Sequence, residues 1–294
     1  MNLTGLRVMV LGGRTGLLGQ ALTRALTDAG AKPLPLSSKD CDILDPHCVS
    51  RVLDRKDPDL LINAAAYTQV DRAEDEEELA FAINATAPPL LAAEAAKRAI
   101  PFIHYSTDFV FRGNKRTPYS VYDETGAFSV YGISKTEGER GLLDLGYDRT
   151  LIIRTSWLFG PGRINFVEKI LSLADAQDVI NVVNDQTGSP SYAPDVAENT
   201  LRLIELDATG MFHLANSGET TWHGLARAAV ELAGIDCVVA PIPSSAYPTK
   251  AVRPHYSVLD LTRFAQTTGV PPRHWREALQ QYVRDDLQRG ERAE

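Results

Sequence analysis

VMVLGGRTGLLGQAL, residues 8–22, runs from an apolar segment through a glycine-rich turn into an amphipathic segment. The apolar segment predicts a first strand at residues 7–11, and the periodicity beyond the turn predicts a helix over residues 16–29. Glycine allows a backbone to approach a pyrophosphate closely, and a helix amino terminus offers free N–H groups and partial positive charge. A dinucleotide site is therefore predicted at the turn, on three glycines with the spacing GxxGxxG: Gly13, Gly16 and Gly19.

Short apolar runs alternate with helical patterns through the first half of the chain, which is typical of βαβ units and a parallel sheet. This alternation predicts strands at 33–36, 60–63, 102–106 and 151–154, and helices at 46–55, 77–99 and 130–145. Beyond about residue 160 the pattern loosens and predicts shorter helices at 194–206, 222–233 and 274–287. We expect an α/β protein with a Rossmann-type doubly wound parallel sheet. Residues 1–160 would mainly form the dinucleotide-binding domain, and residues 161–294 a smaller substrate-binding region interleaved with it.

Composition narrows the classes of partner. The chain has 294 residues, of which 44% are hydrophobic, and a formal net charge of −8. A net negative charge without a basic stripe argues against binding to nucleic acid or to an anionic membrane surface. The three cysteines form no CxxC pair, and no apolar run is expected to reach the length that spans a bilayer. We therefore expect a cytoplasmic protein with a small-molecule partner.

The end of the second predicted strand bears on the choice of dinucleotide. NAD-binding units usually place an acidic side chain there, on the adenosine ribose. Here no carboxylate precedes Asp40, whereas Ser38, Lys39 and the turn residue Arg14 are able to accept a ribose phosphate. We therefore predict NADPH, with NADH left open.

The remaining predicted cofactor contacts follow from position along the chain. The helix start would meet the pyrophosphate, an Asp-Ile pair suits the adenine edge, and small side chains after the third strand allow close approach of the backbone. In that order, these residues are Gly16, Leu17 and Leu18; Asp42 and Ile43; and Asn63, Ala64, Ala65 and Ala66.

A candidate reacting group comes from two stretches. Ser106, Thr107 and Asp108 follow an apolar strand, so they are expected to face the same crevice as the glycine turn. Tyr131 and Lys135 lie four residues apart, on one face of the predicted helix. A lysine cation that lowers the phenol pKa would let the tyrosine exchange a proton with a carbonyl, while a threonine hydroxyl polarises the same oxygen. Hydride would come from the nicotinamide.

Two polar residues interrupt apolar patterns. Asn84 is a poor helix former inside a helical run, and either an internal tie or a solvated position explains it. His104 lies in a strand pattern and is expected to be a hydrogen-bonded core residue.

The glycine turn, the NAAA stretch, the STD stretch and the YxxxK pair together resemble the extended short-chain dehydrogenase/reductase superfamily. Within it, seven longer motifs spread along the chain resemble the dTDP-4-dehydrorhamnose reductase family: NAAAYTQVDRAE, INAT, HYSTDFVF, RTSWLFG, NDQTGSPSYAPD, FHLANSGETTW and RPHYSVLD. The resemblance covers nearly the whole chain. It implies reduction of dTDP-4-dehydro-L-rhamnose to dTDP-L-rhamnose with NADPH or NADH.

The resemblance also implies roles for individual residues. Thr107, Tyr131 and Lys135 would be catalytic, with Lys135 also holding the nicotinamide ribose. Substrate contacts would include Thr107 and Tyr131 again, together with five other residues: Thr68, Val70, Asp108, Phe109 and Trp157. Trp157 has an equally good interpretation as a core residue.

The chain departs from the family pattern at two places. Its turn reads Gly12-Gly13-Arg14-Thr15-Gly16 where the family more usually has Thr-Gly-Ala-Asn-Gly, and Phe109 replaces a common tyrosine. Some members bind Mg²⁺ through glutamates at a dimer interface. The acidic run 74–78 is better interpreted as a solvated helix start, so no metal ligand is predicted and both the Mg²⁺ requirement and a homodimer are left open.

Rival functions share the fold. A dehydratase of this superfamily has Asp-Glu after the threonine, whereas this chain has Asp108-Phe109, which argues against dehydration. An epimerase acting on another sugar nucleotide would return the hydride and show no net change in nicotinamide absorbance. A non-catalytic NADP-binding subunit, like the regulatory partner of a methionine adenosyltransferase, would not need the complete set of Thr107, Tyr131 and Lys135.

Overall fold

The computed structural model describes residues 1–287 of the chain. Its strands in this range, in chain order, are β1 (Arg7–Leu11), β2 (Lys32–Leu36), β3 (Leu60–Asn63), β4 (Phe102–Thr107), β5 (Thr150–Thr155), β6 (Leu158–Phe159), β7 (Val179–Val183), β8 (Thr187–Gly188), β9 (Ser191–Tyr192), β10 (Gly210–His213), β11 (Thr220–Thr221) and β12 (Val238–Ile242).

The α-helices within the same residues are α1 (Leu17–Asp28), α2 (Pro46–Lys56), α3 (Val70–Ala73), α4 (Glu77–Phe81), α5 (Ala87–Lys97), α6 (Val130–Leu145), α7 (Phe166–Ala176), α8 (Ala193–Glu205), α9 (Trp222–Ala233), α10 (Thr262–Thr268) and α11 (Trp275–Gln281). A π-helical turn, Ala82–Thr86, joins α4 to α5, and a second one, Tyr282–Leu287, follows α11. Short 3₁₀ turns lie at Asp108–Val110 and Ser244–Ala246.

Six parallel strands form the main sheet, in the spatial order β10, β5, β4, β3, β1, β2. From β1 the chain moves to β2 on one side and then to β3 on the other. The order therefore reverses between β1 and β3, and ligands of such sheets bind in the crevice at the carboxyl ends of the strands beside that point. The predicted doubly wound α/β fold is confirmed.

Helices cover both faces of this sheet because successive strand residues point to opposite faces. Val8 and Val10 pack against α1 and α8, in one core cluster with Leu22. Met9 and Leu11 pack against α2 and α5 in the other. A parallel sheet buried on both faces explains why its strands read as continuous apolar runs.

Helix α6 carries the YxxxK pair, and its position is fixed at both ends and along its length. Ser129 caps it by accepting a hydrogen bond from Gly132 N at 3.1 Å, and Gly146 ends it in the left-handed conformation. A Cβ at Gly138 would lie 2.1 Å from Asn84 O. Only glycine lets α6 approach the π-helical turn so closely.

The second half of the chain contributes to both parts of the molecule. Helix α8 packs against α1, and β10 extends the main sheet beside β5. The other elements pack around the parallel pair β7–β12 and around α9 and α11. The division at residue 160 stays a prediction from the sequence.

One helix is long and apolar enough to cross a membrane by length and composition alone. It is the continuous helix Glu77–Lys97 of 21 residues, with a mean hydropathy of 1.2 in its best window. The expectation that no apolar run reaches that length was therefore wrong. Leu91, Ala92 and Ala95 of this helix are buried against the sheet, and core helices of globular proteins pass the same test, so packing within the protein accounts for the apolar composition.

Candidate active site

A cavity of about 770 Å³ opens at the carboxyl ends of the main strands. Its wall is formed by the glycine turn, the ends of β3, β4 and β5, the start of α6 and the start of α9. It reaches from the switch point between β1 and β3 toward the second half of the chain. The structure brings the predicted site residues together along this wall, except for five that do not line it: Gly13, Arg14, Gly19, Lys39 and Asn63.

The glycine turn is shaped by close backbone approaches. Gly12 has φ +77° and lies against the backbone of Ala64, where a Cβ would come within 3.0 Å. A Cβ at Gly19 would lie 2.2 Å from Gly12 O, so the turn and α1 pack without intervening side chains. Gly13 lies behind the turn against Pro35, which explains why it does not line the cavity.

The amino terminus of α1 faces the cavity. Gly16 is the N-cap residue and provides no side-chain oxygen to the N–H groups of the first turn. Those N–H groups have no partner within the helix, and together with the helix dipole they suit an anion. Gly16, Leu17 and Leu18 line the cavity here.

Of the three residues predicted to select a ribose phosphate, only Ser38 lines the cavity, whereas Arg14 and Lys39 do not. Arg14 donates from Nε to Pro35 O at 3.0 Å and lies 3.4 Å from Asp40 Oδ2. Hydrogen bonds from Ser37, more than the nearby guanidinium, lower the pKa of the Asp40 carboxyl. Arg14 therefore lies beside the carboxylate of Asp40. Its contact with a ribose phosphate stays a prediction.

Tyr131 and Thr107 lie side by side on the cavity wall, Tyr131 on the first turn of α6 and Thr107 at the end of β4. Burial raises the pKa of Tyr131 to about 12, the Thr107 hydroxyl opposes this shift, and Asp108 adds to it. The Tyr131 ring packs edge-on against Phe109, with ring centroids 5.6 Å apart. The phenol is thus a proton carrier that stays protonated at neutral pH.

Lys135 contacts different atoms from those that the sequence predicted. Its Nζ donates to Tyr105 O at 2.6 Å and lies 3.1 Å from His104 Nε2. Burial lowers the pKa of Lys135 to about 8, and Glu139 opposes that shift. The expected acidification of the phenol by the lysine cation is absent from this arrangement, because the Nζ group points to β4 and burial dominates at Tyr131.

Asp108 is fully enclosed and hydrogen-bonded on both carboxyl oxygens. Thr107 Oγ1 donates to Oδ1 at 3.1 Å, and Ser257 Oγ donates to Oδ2 at 2.5 Å. Burial raises the pKa of Asp108 to about 6, although both hydroxyls oppose the shift. Ser106 and Thr107 are the last residues of β4 rather than residues after the strand, because the ladder with β5 continues to Thr107↔Thr155.

Two tryptophans stack directly on each other in the cavity wall. Trp157 and Trp222 stack with ring centroids 3.6 Å apart and planes 5° apart, and both line the cavity. Trp157 has φ +44°, an uncommon conformation for a bulky residue. The sequence reasoning assigned no role to Trp222, although the motif FHLANSGETTW ends with it.

Arg253 is another lining residue that was missed, although the motif RPHYSVLD begins with it. Its guanidinium makes a two-pronged contact with Asp71 on α3, at 2.9 and 2.7 Å. This pairing lowers the pKa of Asp71. The contact joins a segment near the end of the chain to the first half at the edge of the cavity.

The two polar residues inside apolar patterns are both buried. Asn84 bonds Tyr67 N and O and donates to Ser134 Oγ on α6, so the solvated interpretation was wrong. His104 is bonded on both ring nitrogens, as expected of a core residue, but one of its partners is Lys135.

The acidic run is partly engaged in local contacts. Glu74 accepts a hydrogen bond from Val130 N at the start of α6, and Glu76 accepts from Tyr67 and Arg72. Among residues 1–287 no group of three or more His, Cys, Asp or Glu is placed to hold a metal ion. The Mg²⁺ requirement stays open.

The chain is similar to characterised families over nearly its full length. The family described as RmlD substrate binding domain matches residues 6–288. A dTDP-4-dehydrorhamnose reductase of Mycolicibacterium smegmatis is 40% identical over 279 residues, which cover 94% of this chain and 84% of the relative.

Two solved structures have the same fold at similar identity. A dTDP-4-dehydrorhamnose reductase of Clostridium acetobutylicum has a TM-score of 0.91 and 34% identity, covering 96% of this chain and 100% of its own. A dTDP-4-dehydrorhamnose reductase of Bacillus anthracis in complex with NADP also has a TM-score of 0.91, with 30% identity over 95% of this chain and 99% of its own.

Proposed function

The chain belongs to the RmlD substrate-binding domain family, and on that premise we propose that it is an NADPH-dependent reductase that converts dTDP-4-dehydro-L-rhamnose to dTDP-L-rhamnose. The observation that carries this proposal is one cavity that holds both a glycine turn fit for a dinucleotide and the three groups of a ketone reductase: Thr107, Tyr131 and Lys135. Relatives that share the name at 36–40% identity support the substrate.

NADPH, when bound, supplies the hydride, because no side chain is able to do so. The residues fit this group: Gly12 and Gly16 of the turn line the cavity without side chains, and the first N–H groups of α1 have no side-chain capping partner. Gly16, Leu17 and Leu18 would hold the pyrophosphate, and Asp42 and Ile43 would meet the adenine. Lys135 would hold the nicotinamide ribose.

Tyr131 is the proton donor in this proposal. Its raised pKa keeps the proton on the phenol oxygen at neutral pH, and the proton passes to the ketone oxygen as negative charge develops there. The Thr107 hydroxyl, which donates to Asp108 Oδ1 in this structure, would turn to donate to the same ketone oxygen and stabilise that charge. Trp157, Phe109, Thr68 and Val70 line the cavity around the place of the sugar.

The decisive assay mixes the protein with purified dTDP-4-dehydro-L-rhamnose and NADPH, or NADH, and follows the nicotinamide absorbance. Consumption of one NADPH for each dTDP-L-rhamnose formed is expected, with NADPH preferred over NADH because residues 37–39, directly after β2, include no acidic side chain. A sugar product without a net absorbance change would favour an epimerase. Tight NADP binding with no turnover of any keto-sugar nucleotide would favour a regulatory subunit.

We also propose a division of labour along the chain, in which residues 1–160 bind mainly the dinucleotide and residues from 161 onward mainly the sugar nucleotide. Trp222, Arg253 and Phe166, on the far side of the cavity, support this division. Free thiols at all three cysteines support a cytoplasmic location. Sedimentation of the purified protein would test for a homodimer.

A further inference from the structure

Three buried polar side chains form a chain of contacts that ends at Lys135. Asn63 ends β3, His104 lies on β4, and Lys135 lies on α6; their exposed fractions are 0%, 1% and 1%. Asn63 Nδ2 lies 3.1 Å from His104 Nδ1, and His104 Nε2 lies 3.1 Å from Lys135 Nζ. Because these atoms are shielded from water, each hydrogen bond must be made with the donors and acceptors at hand.

The backbone of Ala65 sets the orientation of the Asn63 amide. Ala65 N donates to Asn63 Oδ1 at 3.1 Å. A reversed amide would set an NH₂ group against that N–H, and an amide nitrogen offers no acceptor. The Asn63 NH₂ therefore faces His104 Nδ1, and Nδ1 must accept.

This direction fixes the tautomer of His104. A neutral imidazole has one accepting nitrogen and one N–H. Burial is the largest cause that holds the pKa of His104 well below 6.5, so the ring is neutral. Since Nδ1 accepts, the ring hydrogen is on Nε2, and it points at Lys135 Nζ.

An ammonium group has three donors and no acceptor. A protonated Lys135 would therefore face the His104 Nε2–H with another donor across 3.1 Å. A neutral amine has a lone pair that accepts from Nε2–H, and it still donates to Tyr105 O at 2.6 Å. Only the amine form of Lys135 gives every polar side-chain atom of Asn63, His104 and Lys135 a matching hydrogen-bond partner.

We propose that Asn63 and His104 favour the neutral amine form of Lys135, which makes His104 a positioning residue for the proton relay. The other groups around Lys135 are few. Glu139 on α6 favours the ammonium, but its carboxylate is paired with Arg154 on β5 at 2.8 and 2.6 Å.

The remaining elements around α6 add little charge beside Lys135. Tyr131 lies one turn before it on the cavity side, with Asp108 acting on the phenol. The π-helical turn contacts α6 through the neutral pair Asn84 and Ser134. The effect of His104 on turnover rests on the proposed reductase function, whereas its tautomer does not.

The tautomer is measurable without any turnover. In protein labelled with ¹⁵N-histidine and free of added nucleotide, the imidazole shifts distinguish Nε2–H from Nδ1–H. We expect Nε2–H at His104, with His213 as an internal reference of the opposite kind, because His213 Nδ1 faces the pure acceptor Asp260 O at 3.2 Å. An Nδ1–H tautomer or an imidazolium at His104 would overturn the proposal.

The variant Asn63→Asp should reverse the donor and acceptor roles in the hydrogen bonds that link residue 63, His104 and Lys135. The introduced carboxylate accepts from both Ala65 N and His104 Nδ1, so the ring hydrogen moves to Nδ1 and Nε2 accepts from a lysine ammonium. The ¹³Cε titration midpoint of Lys135, below the ordinary 10.5 in the wild type, should rise by about one pH unit or more, a tenfold gain in proton affinity. Retention of Nε2–H at His104 in this variant would refute the proposal.

These readouts separate the inference from the proposed function. The expected tautomer in a protein that reduces no sugar nucleotide would contradict only the reductase assignment. Full reductase activity with an Nδ1–H tautomer at His104 would contradict only the inference.

Discussion

Tyr131 has surroundings that keep the proton on its phenol oxygen at neutral pH. The phenol lies in a buried setting that raises its pKa to about 12, with Thr107 as the one neighbour that favours the anion. The sequence predicted that the tyrosine and the lysine share a helix face, and they do. Their contacts were not predictable, because Lys135 bonds to Tyr105 O and His104, which belong to another element.

Removing the phenol oxygen tests the proton donor. Tyr131→Phe keeps the ring and its edge-on contact with Phe109, so we expect turnover to fall by roughly 10²–10⁴-fold, the usual contribution of a positioned acid. NADPH affinity, measured by fluorescence titration, should change little because the ring still fills its place. Turnover within a few fold of the wild type would show that another group donates the proton.

Asp108 predicts a dependence of stability on pH. Its pKa in the folded protein, about 6, exceeds the ordinary 3.8. The folded state therefore binds this proton more tightly than the unfolded state, and the contribution of Asp108 to stability is lost as the pH rises from about 4 through 6.

Asp108→Asn removes this loss, because an amide stays neutral and still accepts from Thr107. Relative to the wild type, the variant should be of similar stability at pH 4 and more stable at pH 7.5 by about 3 kcal/mol, since each pKa unit corresponds to about 1.4 kcal/mol. Urea unfolding at the two pH values gives the free energies. An equal difference at both would mean that Asp108 titrates normally.

At the scale of elements, five of the six strands of the main sheet were predicted from the sequence, whereas β10 and the peripheral strands were not. Strands such as β1 and β3 are buried on both faces, so they appear as unbroken apolar runs. Strand β7 alternates exposed and buried residues in a short stretch, and its partner β12 lies far along the chain. No local pattern predicts such a pair, and helix α7 before it was also missed.

Helix α6 depends on close contact with the π-helical turn, and Gly138→Ala tests that contact. The added methyl would meet Asn84 O at 2.1 Å, so α6 must shift. We expect a loss of about 1–3 kcal/mol in the free energy of unfolding, typical of overpacking, and lower turnover because α6 carries Tyr131. Thermal and urea unfolding measure the first effect.

A matched control for this substitution is Gly126→Ala. The nearest atom to its added methyl is Arg112 Cβ at 3.5 Å, an ordinary contact. This variant should stay within about 0.5 kcal/mol of the wild type, as surface substitutions usually do. Equal destabilisation by both changes would contradict the proposed role of the close approach.

At the scale of the whole molecule, the cavity is closed by residues far apart in sequence. Ser257 bonds Asp108, Arg253 pairs with Asp71, and Trp222 stacks on Trp157. Most residues predicted to bind the cofactor do line the cavity, because they follow strand ends in a regular order. No comparable rule relates sequence to position for the cavity residues from the second half of the chain. The sequence showed Trp222 and Arg253 only as parts of motifs, and it did not show which residues lie next to those motifs in space.

The tryptophan stack tests the division of labour between the two halves of the chain. Trp222 is the first residue of α9 and stacks on Trp157 in the cavity wall, and it belongs to the half of the chain proposed to bind the sugar nucleotide. Trp222→Phe shrinks the aromatic wall there and leaves the glycine turn untouched. We expect the KM for the nucleotide sugar to rise about tenfold, equivalent to about 1.4 kcal/mol, with the KM for NADPH unchanged.

Trp275→Phe is the matched control, because Trp275 is buried in the core beside α9 and does not line the cavity. It should lower the free energy of unfolding and leave both KM values as they are. A larger change in the KM for NADPH than for the sugar nucleotide in Trp222→Phe would place the dinucleotide on this side and contradict the proposed division.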